Sequence, residues 1–303
     1  MSRPSLVQST GYVMDTPVRT PGILYVVATP IGNLEDVTLR ALRVLREVAV
    51  IAAEDTRRTA RLLQHYSIST PTTSLHEHNE RRKSGVLIAR LLAGDSVALV
   101  SDAGTPVMSD PGRELVAAAH AEGIRVEAIP GPTAAVAALS ASGLPTDEVL
   151  LLGFPPSRSK DRKNWLDKLA GEKRTLVFYE APHRIRDTLT DVQTILGDRV
   201  AAVGRELTKK HEKLVVRPIS AHLAELHEPR GEFTVVLAPA DRAEPASVAR
   251  PSDAQLVSEF GELTDKSARS RREILREVAL RHGITPKALY DVIERHKNRL
   301  TDQ

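Results

Sequence analysis

Between Ile23 and Gly131 the chain repeats one pattern: a short β-prone apolar run, a loop of small residues, then a helical segment. "ILYVVA" (Ile23–Ala28), "AVIAAED" and "SVALVS" are continuous apolar runs, not alternating ones. Such runs mark strands buried on both faces. The first intervening helix takes its cap from Asp36 or Thr38 and sets Leu39, Leu42, Leu45 and Val48 on one face. The next, "TRRTARLLQHY", puts Arg57, Arg58 and Arg61 on or near one side and turns Leu62 and Leu63 the other way. "TSLHEHNE" breaks the rhythm. "GVLIARLLAG", "RELVAAAHAEG" and the strand "RVEAIPG" restore it. The alternation predicts an α/β domain over residues 23–131, with a largely parallel sheet covered by helices.

After Gly131 the spacing shortens. "PTAAVAALSASGLP" reads as a small-residue helix ending at Gly143. Then "EVLLLGF", "RTLVFYE", "VAAVGREL", "KLVVR" and "EFTVVLAP" give five strands, with helices near Asn164–Leu169 and Ile185–Leu196. This predicts a second α/β domain over residues 132–239 with a mixed sheet. "PADRAEPASVARPSD" is a Pro/Ala-rich linker, placed at residues 240–253. Residues 254–303 carry two helical patterns around "GITP", with Ile274, Leu275, Val278, Ile284, Leu289 and Val292 as their apolar positions. The second pattern resembles half of a helix-turn-helix, made basic by Arg269, Arg271, Arg272 and Lys287.

Composition narrows the chemistry. The 303 residues include no cysteine, so disulfides, thiolate catalysis and cysteine-held zinc are excluded. Lys and Arg number 42 against 39 Asp and Glu, a net charge of +3; what matters is where the arginines cluster. No apolar run approaches the roughly 18 residues of a membrane span. Residues 1–22 are polar, punctuated by Pro and Gly, and lack the apolar core of a secretion signal. They read as a flexible tail on a cytoplasmic protein.

Four loops stand out: "ATPIGN" (Ala28–Asn33), "SDAGTP" (Ser101–Pro106), "PGPTA" (Pro130–Ala134) and "GEFT" (Gly231–Thr234). Loops at the carboxyl ends of parallel strands are where α/β sheets bind ligands. Gly and Ala let backbone approach a ligand, and Pro holds the loop's shape. No G-x-G-x-x-G follows the first strand and no G-x-x-x-x-G-K-[ST] occurs, so the common dinucleotide and P-loop readings fail.

In order along the chain stand "LYVVATPIGNLEDVTLRALRVL", "IAAEDTRRTARLL", "LVSDAGTPVMSDPG", "IPGPTAAVAALSASGLP", "FYEAPHRI", "GRELTKKHE" and "GEFTVVLAP". Together they resemble the ribosomal RNA 2′-O-methyltransferases of the tetrapyrrole methylase-like class, over about Ile23 to Pro239. The resemblance implies two α/β domains holding S-adenosylmethionine in the cleft between them. It implies methylation of a cytidine ribose at the decoding centre of small-subunit ribosomal RNA, on assembled subunits, by a homodimer. It assigns the cofactor to Pro30, Asp102, Ala103, Gly104, Thr105, Thr133, Ala134, Phe178 and Thr234. A methyl group on a sulfonium needs no metal to activate it; the enzyme must align the hydroxyl and help remove its proton. Carboxylates placed for that are Asp102, Glu54, Asp55 and Glu180.

Dense phosphate calls for Arg and Lys on the binding face. Arg57, Arg58 and Arg61 follow a strand's carboxyl end, and "NERRK", "SRSKDRK" and "RELTKKHEK" add further basic clusters. Arg57 and Arg205 lead this set, joined by Lys209, Arg184 and Tyr179, whose ring suits stacking on a base. "HEHNE" groups His76, Glu77, His78 and Glu80 without the spacing of a zinc helix, so no metal is expected. Two other readings stay open: a methyltransferase of the same fold acting on a tetrapyrrole-type small molecule, and a non-enzymatic helix-turn-helix nucleic-acid binder.

Overall fold

The computed structural model describes residues 20–227, 229–240, 253–266, 270–281 and 286–301. These fall into two compact units that divide after Ala240.

The first unit holds two five-stranded sheets. Strands β1 (Leu24–Val27), β2 (Val50–Ala53), β3 (Thr72–Ser74), β4 (Val97–Val100) and β5 (Val126–Ile129) form one, in the order β3-β2-β4-β1-β5. Every pairing is parallel. Helices α1 (Leu39–Glu47), α2 (Thr56–His65), α3 (Glu80–Leu92) and α4 (Arg113–Ala121) supply the crossovers. β2 and β4 are buried at every position, as their unbroken apolar sequences require. One core packs Val27, Ile51 and Val100 against α1; another packs Leu24, Val97 and Leu99 against α3 and α4.

Caps set the helix starts. Thr38 Oγ1 accepts the Ala41 N–H at 3.1 Å and opens α1, an interaction worth about 1 kcal/mol. Asp36 instead lies in a 3-10 turn over Leu34–Asp36. Leu39 does not share the buried face: Ala41, Leu42, Val44, Leu45 and Val48 form the stripe, and Leu39, on the far side of the helix, is 87% exposed. Glu80, grouped in "HEHNE" in the sequence, has a helix-capping role. Its buried Oε1 accepts the N–H groups of Gly112 (2.9 Å) and Glu114 (2.8 Å), capping α4 from a distance. Gly22, expected to be tail, is buried and donates its N–H to Leu91 O at 2.7 Å; residues 1–19 lie outside the described residues.

The second sheet comprises β6 (Val149–Leu151), β7 (Thr175–Glu180), β8 (Val200–Arg205), β9 (Lys213–Pro218) and β10 (Phe233–Leu237), ordered β6-β7-β10-β8-β9. Only the β6–β7 pairing is parallel. Helix α5 (Ala134–Ser142) covers one face through Ala135 and Ala138, and Gly143 closes it in the left-handed conformation. Helices α6 (Ser159–Asp167), α7 (Ile185–Leu196) and α8 (Ile219–Glu225) serve the other face. α6 begins five residues before the sequence expectation, because Arg162 packs inward and pairs with Asp191 at 2.7 Å. α8 has no counterpart in the sequence reading.

Among the described residues the second unit holds three helices, where the sequence shows two helical patterns: α9 (Asp253–Lys266), α10 (Arg271–Arg281) and α11 (Pro286–Thr301). Leu256, Phe260, Ile274, Val278, Leu289 and Val292 form its core, and Arg271 lies over the Phe260 ring. Arg269, Ile284 and most of the expected linker lie outside the described residues.

Candidate active site

The loops after β1, β2, β4 and β5 leave the parallel sheet at one edge, and the structure ties them together. Thr29 and Gly104 exchange backbone hydrogen bonds at 2.8 and 3.0 Å. Thr29 Oγ1 donates to Ser101 O at 3.2 Å, and Thr105 Oγ1 donates to Pro132 O at 3.2 Å. The "GEFT" loop does not follow a parallel strand. It leads into β10, which runs antiparallel to its neighbours, so its end pairs with the ends of β7 and β8: Phe233 stands opposite Glu180 and Arg205.

Between these edges lies a cleft of about 450 Å³, within the range of about 300–1,000 Å³ typical of small-molecule sites. Asp102, Ala103, Gly104 and Thr105 line it from the first sheet, and Thr133 and Ala134 from the start of α5. Tyr179 and Thr234 line it from the second sheet, with Glu54, Arg58 and Lys209 at its sides. Gly104 has φ +84°, and a Cβ there would meet Ile31 Cγ2 at 3.3 Å. That conformation and that space favour glycine.

Several expected site residues are not brought there. Phe178 is buried in the core beneath α6 and α7. Strand residues alternate sides, so Tyr179 faces the cleft and Phe178 cannot. The same parity turns Arg205 away with Ala201 and Val203; it lines a separate groove beside α8, with Lys213 and Arg217. Pro30 does not line the cleft, whereas its neighbour Ile31 does. Asp55 caps α2 through the Arg57 N–H at 2.8 Å and pairs with the Arg57 side chain at 3.2 Å. Arg57 holds the Asp55 carboxyl below its usual range. Arg61 is exposed on α2, outside the cleft lining.

Glu180 lines the cleft, but its side chain is fully buried. It accepts from Ala181 N (2.8 Å) and Thr188 Oγ1 (2.6 Å) and pairs with Arg184 (3.1 Å). The Glu180 carboxylate is thus fully occupied, and Arg184 also bonds Pro155 O. Lys209 bridges Glu206 (3.0 Å) and Glu232 (3.1 Å) at the rim. Asp102 Oδ1 accepts the Asp55 N–H at 3.0 Å, its Oδ2 lies 3.3 Å from Arg58, and its own N–H donates to Glu54 Oε2 at 3.3 Å. Burial raises the Glu54 pKa, against the pull of that last bond.

The cleft also contains groups the sequence reading passed over. Asp110, eight residues beyond Asp102, has its pKa pushed up to about 6 by burial and by the nearby Glu54 and Asp102 charges, with the Ser101 hydroxyl opposing. The signal was present: a second Asp in one small-residue loop. The loop is strained around it, with left-handed φ of 73° at both Val107 and Ser109, costing on the order of 1–3 kcal/mol each. Phe154 is 56% exposed, with its ring 5.4 Å from Tyr179. The Tyr179 hydroxyl sits by Thr133 and the Ala135 N–H, and burial raises its pKa. Asn79 holds the turn at His76, bonding both its N–H and its Nε2.

The profile of the tetrapyrrole (corrin/porphyrin) methylases matches residues 23–222. A protein of Synechocystis sp. named ribosomal RNA small subunit methyltransferase I is 46% identical over 274 residues, covering 89% of this chain and 97% of the relative. The one of Pseudomonas aeruginosa with the same name is 51% identical over 226 residues, covering 72% of this chain and 79% of the relative. Among known structures, the methyltransferase CobJ superposes with TM-score 0.55 at 20% identity, covering 72% of this chain and 95% of that one. A uroporphyrin-III C-methyltransferase from Thermus thermophilus complexed with S-adenosylhomocysteine does so with TM-score 0.52 at 20% identity, covering 73% and 100%. At that identity the two structures share the fold alone. The chain belongs to the tetrapyrrole methylases, in the family of the ribosomal RNA small subunit methyltransferase I proteins. It is a methyltransferase.

Proposed function

We propose that this chain transfers a methyl group from S-adenosylmethionine to the 2′-hydroxyl of a cytidine ribose at the decoding centre of small-subunit ribosomal RNA. S-adenosylmethionine is the methyl donor, supplying a methyl carbon activated by its sulfonium. The observation that carries the reading is the Ala103–Gly104–Thr105 backbone cradle, facing Tyr179 and Thr234 across one cleft in a chain so similar to ribosomal RNA methyltransferases. The cradle fits the group: a side chain at Gly104 would crowd Ile31. Ala103, Gly104, Thr105, Thr133, Ala134 and Thr234 hold the donor. The Phe154–Tyr179 pair offers an aromatic surface for a base. Arg58 at the rim, with Arg57 and Arg61 exposed on the same helix, meets phosphate. Asp102 orders the ends of β2 and β4 beneath the donor.

The substrate is the assembled small subunit, which puts the reaction in the cytoplasm. A homodimer belongs to the same reading, and sedimentation of the purified chain tests it. The function itself is tested by methyl transfer from labelled S-adenosylmethionine, with small subunits, naked ribosomal RNA and a tetrapyrrole precursor in parallel. Label on subunit RNA supports the reading. Label on the tetrapyrrole alone overturns the substrate while keeping the enzyme class.

A further inference from the structure

A ribose hydroxyl is a poor nucleophile until its proton has somewhere to go. The cleft holds several carboxylates, and most are committed. Glu180 is saturated by Ala181, Arg184 and Thr188. Glu206 and Glu232 are paired with Lys209. Asp102 is held by the Asp55 N–H and Arg58, and Glu54 by the Asp102 N–H. Asp55 caps α2.

Asp110 is different. It lines the same cleft, half-buried. Like Glu54 it makes no salt bridge among the described residues, but unlike Glu54 it accepts no backbone N–H there, and only the Ser101 hydroxyl favours its charged form. The residues beside it, Val107, Ser109 and Gly112, adopt left-handed backbone that fixes the loop's course. Tyr179, on the second sheet, lines the same cleft.

We propose that Asp110 is the proton acceptor of the methyl transfer, taking the ribose 2′-hydroxyl proton as the oxygen attacks. This rests on the ribose reading above. The O–H bond breaks toward an Asp110 carboxylate oxygen, and the freed pair closes the new O–C bond. The methyl C–S bond breaks with its electrons returning to sulfur. The products are a ribose ether, a neutral thioether and a protonated carboxyl that returns its proton to solvent.

The groups facing Asp110 suit this task. Burial raises its proton affinity most, and Glu54 from the end of β2 and Asp102 from the end of β4 add to it. The Ser101 hydroxyl opposes, Arg58 is engaged by Asp102, and burial pushes the Tyr179 pKa still further above neutral. A base titrating near 6 is ionised at neutral pH yet retains affinity for a proton, the compromise that efficient general bases require.

The test compares wild type with Asp110→Asn and Asp110→Glu, using small subunits as methyl acceptor from pH 5 to 8. Wild-type rate should rise through about pH 6 and level off. Asp110→Asn should lose about a hundredfold or more and lose the inflection, while S-adenosylhomocysteine binds with unchanged affinity by calorimetry. Asp110→Glu should restore part of the rate together with a pH inflection. Independently of turnover, carbon NMR of the labelled carboxyls should show a titration near pH 6 that Asp110→Asn removes. A wild-type rate and pH profile in Asp110→Asn would overturn the proposal and leave ribose methylation standing. Label on a base in the wild-type product would overturn both, since no hydroxyl proton is then lost.

Discussion

The Arg58 guanidinium stands 3.3 Å from the Asp102 carboxylate, whose other oxygen accepts the Asp55 N–H at 3.0 Å. One side chain thus fastens the loop after β4 to the start of the helix that follows β2. The two contacts differ in worth. Arg58 is well exposed, and such an ion pair contributes only about 0–1 kcal/mol. Losing the acceptor of a partly buried N–H costs about 1–3 kcal/mol.

Asp102→Ala should therefore be less stable than Asp102→Asn, which keeps an oxygen for Asp55, by about 1–3 kcal/mol in urea unfolding. Arg58→Ala should stay within about 1 kcal/mol of wild type. Its effect should fall on RNA: a lower affinity, with the slope of log affinity against log salt reduced by about one. An unchanged salt slope would remove Arg58 from the RNA face.

Gly104→Arg should abolish S-adenosylhomocysteine binding. Its φ of +84° strains any side chain, and the Cβ alone reaches Ile31. Calorimetry gives the affinity, and circular dichroism shows that the fold persists. Normal binding by the variant would take this loop out of the site.

Asp110 should also mark stability. Its folded pKa is raised to about 6 from about 3.9 in an unfolded chain. The native state therefore binds more protons between these values, and its stability falls as pH rises through the window. Asp110→Asn should be more stable than wild type at pH 7, and the difference should close below about pH 4. Thermal unfolding of the two across pH 3–8 reads this directly. An identical pH dependence would mean that Asp110 is not desolvated.

How far the sequence disclosed this arrangement varies with the physics of each element. Strands β2 and β4 were legible because burial on both faces leaves an unmistakable apolar run, and α7 was legible from its period. β3, an edge strand of Thr72, Thr73 and Ser74 that is only half-buried, carries no such run and was not legible. Side-chain parity in the second sheet was not. Phe178 and Tyr179 are adjacent and both aromatic, and only their side-chain parity in β7 decides which lines the cleft. The same parity places Arg205 outside this cleft. Asp110 was obscured because its environment is built by Glu54 and Asp102 from other strand ends, a tertiary fact. Leu39 shows that an apolar residue can sit off the stripe of its own helix.

The buried pair between Arg162 and Asp191 lies outside the site, with side chains 5% and 11% exposed. Asp191→Ala leaves a buried guanidinium without its carboxylate and should cost about 3–5 kcal/mol in urea unfolding. Replacing both partners with apolar residues of similar volume should cost much less. A small loss for the single variant would show that water reaches Arg162.

The central claim is that this cleft methylates a ribose of ribosomal RNA. Small subunits methylated by the purified chain can be digested to nucleosides and resolved by mass spectrometry. The account predicts 2′-O-methylcytidine, with the added mass on the sugar. A methylated base, or no modified nucleoside under conditions where the donor binds, would contradict it.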